Sequence, residues 1–302
     1  MDALSSLLEI IKIKSAVYFK ADFSSPWGMT ISTSDVAQFH MVVKGKCLLQ
    51  INQEETVKLH AGDIVIFPTG DAHWLADSEN SKKEDGLHVV TSIQQNKPIF
   101  KGEHFATTLI CGHFEFDKNL DPFFLKSLPS FIHITGIKQK EFTWLETITN
   151  LIMSESDTGL LGKSIAVNKL AEVLFIHSIR AYILQNTEKT GFFAALRNPK
   201  LSRVLKSIHK NPQYRWNLEN LAKEAGMSRT LFANKFRDIV GETPHHYITN
   251  WRIVKAKKYL KESTVSIAEI AEKVGYSSEA AFNRTFKKKV QKTPAAYRRI
   301  GN

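Results

Sequence analysis

Two stretches near the C-terminus, LAKEAGMSRTLFANKFRDIVGETPHHY (Leu221–Tyr247) and IAEKVGYSSEAAFNRTFKKKVQKTPAAY (Ile270–Tyr297), repeat one pattern. In each copy an apolar segment ends at a glycine, Gly226 or Gly275, and a serine then precedes a second segment that carries two phenylalanines. Glycine tolerates the positive φ of a tight turn, and serine accepts hydrogen bonds from the free amides at the start of a helix. The pattern therefore predicts a helix-turn-helix unit that is present twice.

The two copies differ by one residue between the turn and the second helix. Equivalent residues are fifty positions apart from the first phenylalanine onward and forty-nine positions apart before it. The extra residue predicts that the first turn of the second helix is shifted or rotated in the second copy, so the two units need not present identical surfaces. The equivalent pairs are Phe232 and Phe282, Phe236 and Phe286, Thr243 and Thr293, Pro244 and Pro294, and Tyr247 and Tyr297.

The charge of the chain is unevenly distributed. The 302 residues have a net charge of +11 at pH 7, yet residues 196–302 contain 23 Lys and Arg against 8 Asp and Glu, a net +15, which leaves −4 for residues 1–195. Lysine and arginine contacts with phosphates supply salt-sensitive affinity, so this distribution predicts polyanion binding by the C-terminal part. On a scale of about 150 residues per domain, the length is enough for two domains with their own cores.

Cysteine content and hydropathy bear on the cellular compartment. Two cysteines, Cys47 and Cys111, are too few for a disulfide framework. The sequence shows neither a signal segment nor an apolar run of about 18 residues. These features predict a cytoplasmic protein without a membrane segment.

Three further motifs accompany the repeat: the connector WRIVKAKKYL (251–260), the turn VGYSS (274–278) and the ending TPAAYRR (293–299). Together with the two units they resemble the AraC/XylS family of bacterial transcription regulators. The resemblance implies that the second helix of each unit enters the DNA major groove, that a long helix joins the units, and that RNA polymerase is a further partner. A helix from Pro244 to Leu260 is about 25 Å long, and the flanking subdomains bring the span near one DNA turn of about 34 Å.

Helical phase predicts which side chains of the two reading helices face DNA. Arginine can pair with guanine and asparagine with adenine through two hydrogen bonds worth about 1–3 kcal/mol of discrimination, which is the role expected of Arg284 and Asn234. The alternative is that these faces are merely solvated. The predicted buried residues are Phe232, Phe236, Val240, Phe282, Phe286 and Val290. The predicted DNA-binding residues are Arg229, Thr230, Ala233, Asn234 and Arg237 in the first unit, and Glu279, Ala280, Asn283, Arg284, Lys287 and Lys288 in the second.

The first 135 residues consist of short alternating apolar stretches, such as FHMVVKG (39–45) and GDIVIFP (62–68), separated by turn residues. This pattern predicts an antiparallel β domain in the form of a barrel. The segment GDIVIFPTGDAHWLAD (62–77) resembles the second conserved motif of cupins. With SPWGM (25–29), TTLICGHFEF (107–116) and LPSFIHI (128–134), it resembles the cupin-type sensor domain of one AraC/XylS subgroup, which extends the resemblance to nearly the whole chain.

The sequence departs from the metal-binding pattern of catalytic cupins. Their first motif supplies two histidines and a glutamate, but here Gln38 falls at the glutamate position and the histidines fall on or near Ser32 and Ser34. Only His73 of the second motif remains. Because the imidazole and carboxylate ligands are missing, the sequence predicts neither a metal cofactor nor an enzyme.

A different set of side chains is a candidate effector or redox site. Alternation places Cys111, His113 and Glu115 on one face of a strand, and His40 and His73 lie in segments expected to approach the barrel interior. Thiolate and imidazole suit zinc or copper, and a thiolate can be oxidised, but buried cysteine and histidine are also ordinary core residues. Aromatic residues near the barrel mouth, among them Phe39, either line an effector pocket or belong to the core. The full set of candidates is Cys111, Cys47, His40, His73, His113, Trp27 and Trp74.

Two helices are predicted between the barrel and the DNA module. Residues 138–156 place Phe142, Leu145, Ile148 and Ile152 at helical spacing, and residues 163–185 form a second helix that is apolar on most of its surface. Such a helix is buried on more than one side, which predicts a homodimer, with a purely intramolecular helix pair as the alternative. A short polar linker follows at 186–191.

The sequence thus predicts a multidomain α+β protein: a cupin-like β-barrel sensor (1–136), a helical dimerisation and linker segment (137–190), and an all-α DNA-binding domain of two helix-turn-helix units joined by a long helix (191–302). The predicted function is sequence-specific binding of promoter DNA, altered by a small effector or an oxidant. Two alternatives remain open at this point, a metal-dependent cupin enzyme fused to a DNA-binding module and a scaffold that binds nucleic acid nonspecifically. The sequence does not distinguish an activator from a repressor.

Overall fold

A computed structural model describes residues 2–52, 55–116, 128–135, 143–185 and 188–300. Their contacts divide them into two compact units. The barrel unit contains residues 13–116, 128–135 and 143–185, and the helical unit contains residues 2–12 and 188–300. None of the helices in these ranges is both long and apolar enough to cross a bilayer.

The barrel unit is a curled, mainly antiparallel sheet with helices beside it. Its core takes in Phe23, Trp27, Leu49, Phe67 and Leu109. The prediction of a cupin-like β domain is confirmed. The elements are β1 (Lys14–Ser25), β2 (Gly28–Ile31), β3 (Ala37–Ile51), β4 (Val57–His60), β5 (Ile64–Phe67), β6 (His73–Ala76), β7 (Glu84–Asp85), α2 (Gly86–Gln94), β8 (His104–Glu115), β9 (Ile132–Ile134), α3 (Thr143–Asp157) and α4 (Lys163–Gln185).

Strand β3 makes the sheet curl because it has different neighbours along its length. Residues 37–45 pair with β8 and residues 38–41 with β5, whereas residues 46–49 pair with β4 and residues 48–51 with β6. The register shifts between Val42 and Lys44, at the point where the partners change. Strand β3 therefore carries His40 and Cys47 in two different parts of one curled sheet.

The two predicted helices of the middle segment are α3 and α4. Helix α4 has the predicted bounds, and α3 begins at Thr143, because the predicted residues 138–142, including Phe142, lie outside the described residues. Helix α4 packs against β1, β9 and α3. Asn168 fixes it to β1, since its side-chain oxygen accepts a 3.0 Å hydrogen bond from the amide of Val17.

The helical unit contains the two predicted helix-turn-helix units. Helices α7 and α8 form the first, α10 and α11 form the second, and the long α9 joins them, so the predicted all-α architecture is confirmed. The elements of this unit are α1 (Ala3–Ile11), α5 (Phe192–Arg197), α6 (Pro199–Lys210), α7 (Leu218–Ala225), α8 (Arg229–Val240), α9 (Pro244–Glu262), α10 (Ile267–Lys273), α11 (Glu279–Val290) and α12 (Pro294–Ile300).

The extra residue lengthens the turn of the second unit, but the predicted shift of the first turn of its second helix is not observed, because α8 and α11 begin at the equivalent residues Arg229 and Glu279. In the first unit Gly226 ends α7 with φ +60°, and one residue separates it from Ser228, which caps α8 by accepting a hydrogen bond from the amide of Leu231. In the second unit Gly275 has φ +91°, and two residues separate it from Ser278, which caps α11. The two turns therefore have different lengths.

Helix α1 lies in the helical unit, although the predicted boundaries place the first residues in the barrel domain. It packs against α6 and buries Ala3, Leu7 and Ile11. Glu9 forms a 2.9 Å ion pair with Lys258 of α9. An N-terminal segment of this length shows no sign in its own sequence of where it docks, which is why the sequence boundaries differ from the contacts.

Candidate functional site

Helix α8 presents a polar face opposite its buried phenylalanines. Phe232 and Phe236 are fully buried, whereas Val240 is only half-buried. The ring of Phe236 meets Tyr247 of α9 edge-on, with centroids 5.7 Å apart, which fixes the rotation of α8 about its axis. On the opposite face Arg229, Thr230, Asn234 and Arg237 are exposed and Ala233 is half-buried.

Helix α11 repeats this arrangement. Phe282 and Phe286 are fully buried, Val290 is half-buried, and Phe286 meets Tyr297 of α12 edge-on with centroids 5.6 Å apart. The amide of Asn283 donates a 3.4 Å hydrogen bond to Glu279, so these two predicted DNA contacts lie beside each other. The remaining predicted residues of this helix are exposed, namely Glu279, Ala280, Arg284, Lys287 and Lys288.

The barrel unit brings three of the predicted effector residues together in its interior. The Nδ1 atom of His40 lies 3.0 Å from the Sγ atom of Cys111, and its Nε2 atom lies 2.8 Å from Nε2 of His73. On the far side, Nδ1 of His73 lies 2.8 Å from the carbonyl oxygen of Asp71. The three side chains are buried and form one hydrogen-bonded chain, here called the His–Cys chain.

The carbonyl at the end of the His–Cys chain assigns every proton in it. A carbonyl oxygen only accepts, so Nδ1 of His73 carries the hydrogen and Nε2 of that neutral ring accepts. His40 must then donate from Nε2 and accept at Nδ1, which leaves the thiol of Cys111 as the donor to His40. The resting chain is therefore neutral and runs in one direction, from Cys111 through His40 and His73 to the carbonyl of Asp71.

Burial keeps the members of the His–Cys chain uncharged. It lowers the pKa of His73 from 6.5 to about 4, an effect that the hydrogen bond to Asp71 partly opposes. Burial, followed by the neighbouring His73, holds the pKa of His40 well below its ordinary value. Burial also raises the pKa of Cys111 well above 9. At neutral pH the site thus holds a thiol and two neutral imidazoles rather than an ion pair.

The second cysteine lies in the same core. Cys47 is buried and free, as is Cys111, and both belong to one apolar cluster. Burial, with a smaller contribution from Asp63, raises the pKa of Cys47 to about 12. Because the thiolate is the reactive form of cysteine, both thiols are protected from reagents that require it.

The other sequence candidates lie elsewhere in the unit. His113 contacts the carboxylate of Glu115 at 3.2 Å and the ring of Tyr18, with centroids 5.1 Å apart. Trp27 is fully buried against Phe23, while Trp74 is half-exposed and donates a 2.8 Å hydrogen bond to Gln50.

Sequence reasoning missed two partners of His73. The ring of Phe67 stacks on it with centroids 3.7 Å apart, and the carbonyl of Asp71 fixes its tautomer. Phe39, the remaining aromatic candidate, is fully buried and stacks on Phe114 with centroids 4.7 Å apart. Only the proximity of Phe67 and Asp71 to His73 along the chain hints at these contacts.

The positions that carry metal ligands in catalytic cupins contact each other here. Gln38 donates a 3.2 Å hydrogen bond to the hydroxyl of Ser34. Neither side chain is an imidazole or a carboxylate, so the pair does not fit a metal site of that type. Within the ranges that the structure describes, no group of three His, Cys, Asp or Glu side chains is arranged to hold a metal ion.

Comparison with known proteins gives matches over both units. A family model described as a cupin matches residues 2–184, and one described as a helix-turn-helix domain matches residues 221–300. The chain is 30% identical over 305 residues to the HTH-type transcriptional regulator AlkR of Acinetobacter baylyi, covering 99% of each chain. It is 28% identical to the RCS-specific HTH-type transcriptional activator RclR of Escherichia coli, covering 99% of this chain and 97% of that one.

The chain is also similar to a solved structure that contains DNA. The DNA-binding domain of AdpA in complex with a target DNA is 29% identical, covers 34% of this chain and 91% of that chain, and has a TM-score of 0.32.

The buried imidazoles predict a stability loss in mild acid. In the unfolded chain His73 takes up a proton near pH 6.5, whereas in the folded chain it does so only near pH 4. Stability that is present above pH 6.5 is therefore lost as the pH falls toward 4, by on the order of 3 kcal/mol for this group. We expect thermal unfolding between pH 7.5 and pH 4 to show this loss and His73→Gln to reduce it.

The matched control is His88→Gln, because His88 is exposed on α2 of the same unit. It should leave the pH profile as it is in the unsubstituted protein. Equal profiles for His73→Gln and the unsubstituted protein would contradict the assignment of a buried neutral imidazole.

Proposed function

Because the chain belongs to the AraC-type helix-turn-helix transcription regulators that carry an N-terminal cupin domain, we propose that it binds promoter DNA sequence-specifically and that its barrel unit alters this binding. The observation that carries the proposal is the pair of reading helices. In each, two buried phenylalanines fix the helix, and the opposite face offers side chains that suit base edges and phosphates.

The distribution of charge supports DNA as the partner. The reading helices lie in the part of the chain with a net charge of +15, and the last turn of α11 carries Lys287, Lys288 and Lys289. Such side chains supply affinity that is independent of sequence, while Arg284 and Asn234 supply the base preference. RNA polymerase is the further partner that this class of function requires, and the name of the Escherichia coli relative specifies an activator.

The two alternative functions are less well supported. A cupin enzyme would need metal ligands where this chain has Ser34 and Gln38, and the relatives that span the whole chain are named as transcription regulators. A nonspecific scaffold would need only the basic charge and would leave the repeated exposed faces of α8 and α11 without a role. Elemental analysis of the purified protein tests the first alternative, because an active metal cupin carries near-stoichiometric metal.

We further propose that the His–Cys chain is the sensing element of the barrel unit. Each of its polar atoms depends on the next, so breaking the contact between Cys111 and His40 leaves a buried acceptor unsatisfied, at a cost of about 1–3 kcal/mol. An effector or oxidant that breaks this contact would therefore destabilise the resting state and favour a second one. The protonated thiol indicates an agent that can reach a neutral, buried site.

Homodimerisation is proposed to use the outer face of α4. The side chains of Ile165, Val173 and Leu184 lie along one side of this helix and are 68%, 40% and 70% exposed. The opposite side packs on the sheet, so the helix is apolar on two faces, one of which is uncovered in a single chain. Exposed apolar rows of this kind are typical of protein interfaces.

The DNA proposal predicts that two substitutions on one helix act differently. Arg284→Ala should reduce discrimination at one base pair by about 1–3 kcal/mol, because a two-bond contact with a base is lost. Lys288→Ala should weaken binding to all sequences alike and lower the salt slope by about one, because a phosphate contact is lost. Competition among genomic fragments, including the protein's own upstream region, measures both effects at fixed salt. Uniform, purely salt-dependent binding would support the nonspecific scaffold instead.

The sensing proposal predicts that only one of the two cysteines matters. Hypochlorous acid, a small neutral oxidant that converts a single thiol to a sulfenic acid and releases chloride, should change the affinity of the unsubstituted protein for its preferred fragment, and Cys111→Ser should abolish the change. Cys47→Ser is the matched control, because it makes the same replacement of sulfur by oxygen at the other cysteine of the same apolar cluster. A response that persists in Cys111→Ser would remove Cys111 from the mechanism, and an unsubstituted protein that ignores oxidant would direct the search to small-molecule ligands.

The dimer proposal predicts that a charge on α4 separates the subunits. Val173→Glu places a carboxylate in the uncovered apolar row, so sedimentation should show a shift from dimer to monomer. Leu87→Glu is the control, because Leu87 is an equally apolar residue, 75% exposed on α2. A monomeric unsubstituted protein would favour the intramolecular helix pair.

A further inference from the structure

Arg252, on the long helix α9, connects the two helix-turn-helix units. Its Nε atom donates a 2.8 Å hydrogen bond to the carbonyl of Pro212, and its Nη2 atom donates a 2.9 Å hydrogen bond to the carbonyl of Tyr214. Both carbonyls belong to the connection between α6 and α7, which leads directly into the first helix-turn-helix unit. The guanidinium also lies over the ring of Tyr276, in the turn of the second unit, 5.8 Å from its centroid.

The backbones of the two units approach closely at the same place. A Cβ atom on Gly275 would lie 2.8 Å from both the Cα atom of Gln213 and the carbonyl oxygen of Pro212, and 2.7 Å from Arg252. Gly275 also has φ +91°, so the turn of the second unit requires glycine both for its conformation and for this contact. The guanidinium and the glycine together hold the α10–α11 turn against the α6–α7 connection.

A second set of contacts joins the two helix-turn-helix units at the start of α9, whereas Arg252 lies near its middle. Lys289 of α11 donates a 2.6 Å hydrogen bond to Nε2 of His246, which accepts it. The other nitrogen of His246 contacts the carboxylate of Glu242, which follows α8, and Asn250 donates a 3.0 Å hydrogen bond to the same carboxylate. These contacts therefore connect the last turn of α11 to the segment that directly follows α8.

From these contacts we propose that Arg252 is a positioning residue that sets the spacing of the two DNA half-sites. This inference rests on the proposed function. A two-carbonyl hydrogen bond from the middle of α9 and the Glu242–His246–Lys289 connection at its start oppose bending and rotation of one helix-turn-helix unit against the other. Two helix-turn-helix units that are held rigidly can bind two half-sites together only at one distance and one rotation about the DNA axis. Two units that move relative to each other can bind half-sites at several spacings. Half-site spacing is thus part of the recognition code of this protein.

The test uses the full-length protein and a site that it selects from random duplex DNA. Inserting one base pair between the two half-sites moves them apart by about 3.4 Å and turns them by about 34°. The unsubstituted protein should lose about 100-fold in affinity, because only one unit can then bind. Arg252→Ala should lose less than about fivefold relative to its own affinity for the unaltered site, because a hinged second unit still reaches its half-site.

Two further variants separate geometry from charge. Arg252→Lys keeps the positive charge but not the planar group that reaches two carbonyls, so it should tolerate the insertion as Arg252→Ala does. Lys210→Ala removes one exposed positive charge from the same unit and should keep the full 100-fold penalty, since it leaves the contact between the units intact. A Lys variant as sensitive to spacing as the unsubstituted protein, or a tolerant Lys210→Ala, overturns the inference.

A measurement without DNA checks that Arg252→Ala is folded and hinged rather than misfolded. Spin labels at exposed Asp238 and Lys288, on the two reading helices, should give one narrow distance distribution in the unsubstituted protein and a broad one in Arg252→Ala, at unchanged helix content. Equal distributions overturn the inference even if DNA binding is specific. A random pool that yields no preferred sequence contradicts the proposed function itself, and the spacing inference falls with it.

Discussion

Helix α9 contributes side chains to two hydrophobic cores at once, and the geometry of the helical unit depends on this double burial. In its first half Tyr247 packs on Phe236 of α8 and Trp251 stacks on His209 of α6, and further along Ile253, Ala256 and Leu260 pack in the core of the second helix-turn-helix unit. A helix that is apolar on opposite sides cannot rotate without exposing one core. The polar contacts of Arg252 and His246 then select one of the arrangements that this burial permits. Apolar packing therefore holds the two helix-turn-helix units on α9, and the hydrogen bonds fix their relative orientation.

The barrel unit places a different demand on its interior. Its sheet excludes water from Cys111, His40 and His73, so each polar hydrogen there must find an acceptor within the protein. Of the metal-binding histidines of catalytic cupins, this chain keeps only His73. Its side chain is hydrogen-bonded to His40, which in turn contacts the thiol of Cys111. In a network of buried neutral groups, the loss of a single hydrogen bond leaves the neighbouring polar atom unsatisfied.

The sequence predicted features set by neighbours along the chain. The serine caps, the glycine turns and the buried phenylalanines are local, and each lies where the pattern indicated, whereas the extra residue of the second copy lengthens the turn and leaves the start of the helix unshifted. The pairing of Cys111 with His40 rather than with His113 was not predictable, because it depends on the register between β3 and β8. Arg252 was equally hidden, since its partners are backbone carbonyls forty residues earlier, and a carbonyl has no signature in a sequence.

Helix α1 precedes the barrel unit in the chain, yet it packs on α6 and forms an ion pair with α9, which both follow the barrel unit. The core of the helical unit is therefore complete only when the segments on both sides of the barrel unit have been synthesised. Recombination at the 186–191 linker would exchange α1 together with the barrel unit, so Leu7, Ile11 and Glu9, the partner of Lys258, would be replaced by the residues of another protein. The barrel unit and the helical unit are therefore expected to be inherited together. New specificities are expected to arise by substitution within the chain rather than by exchange of one unit.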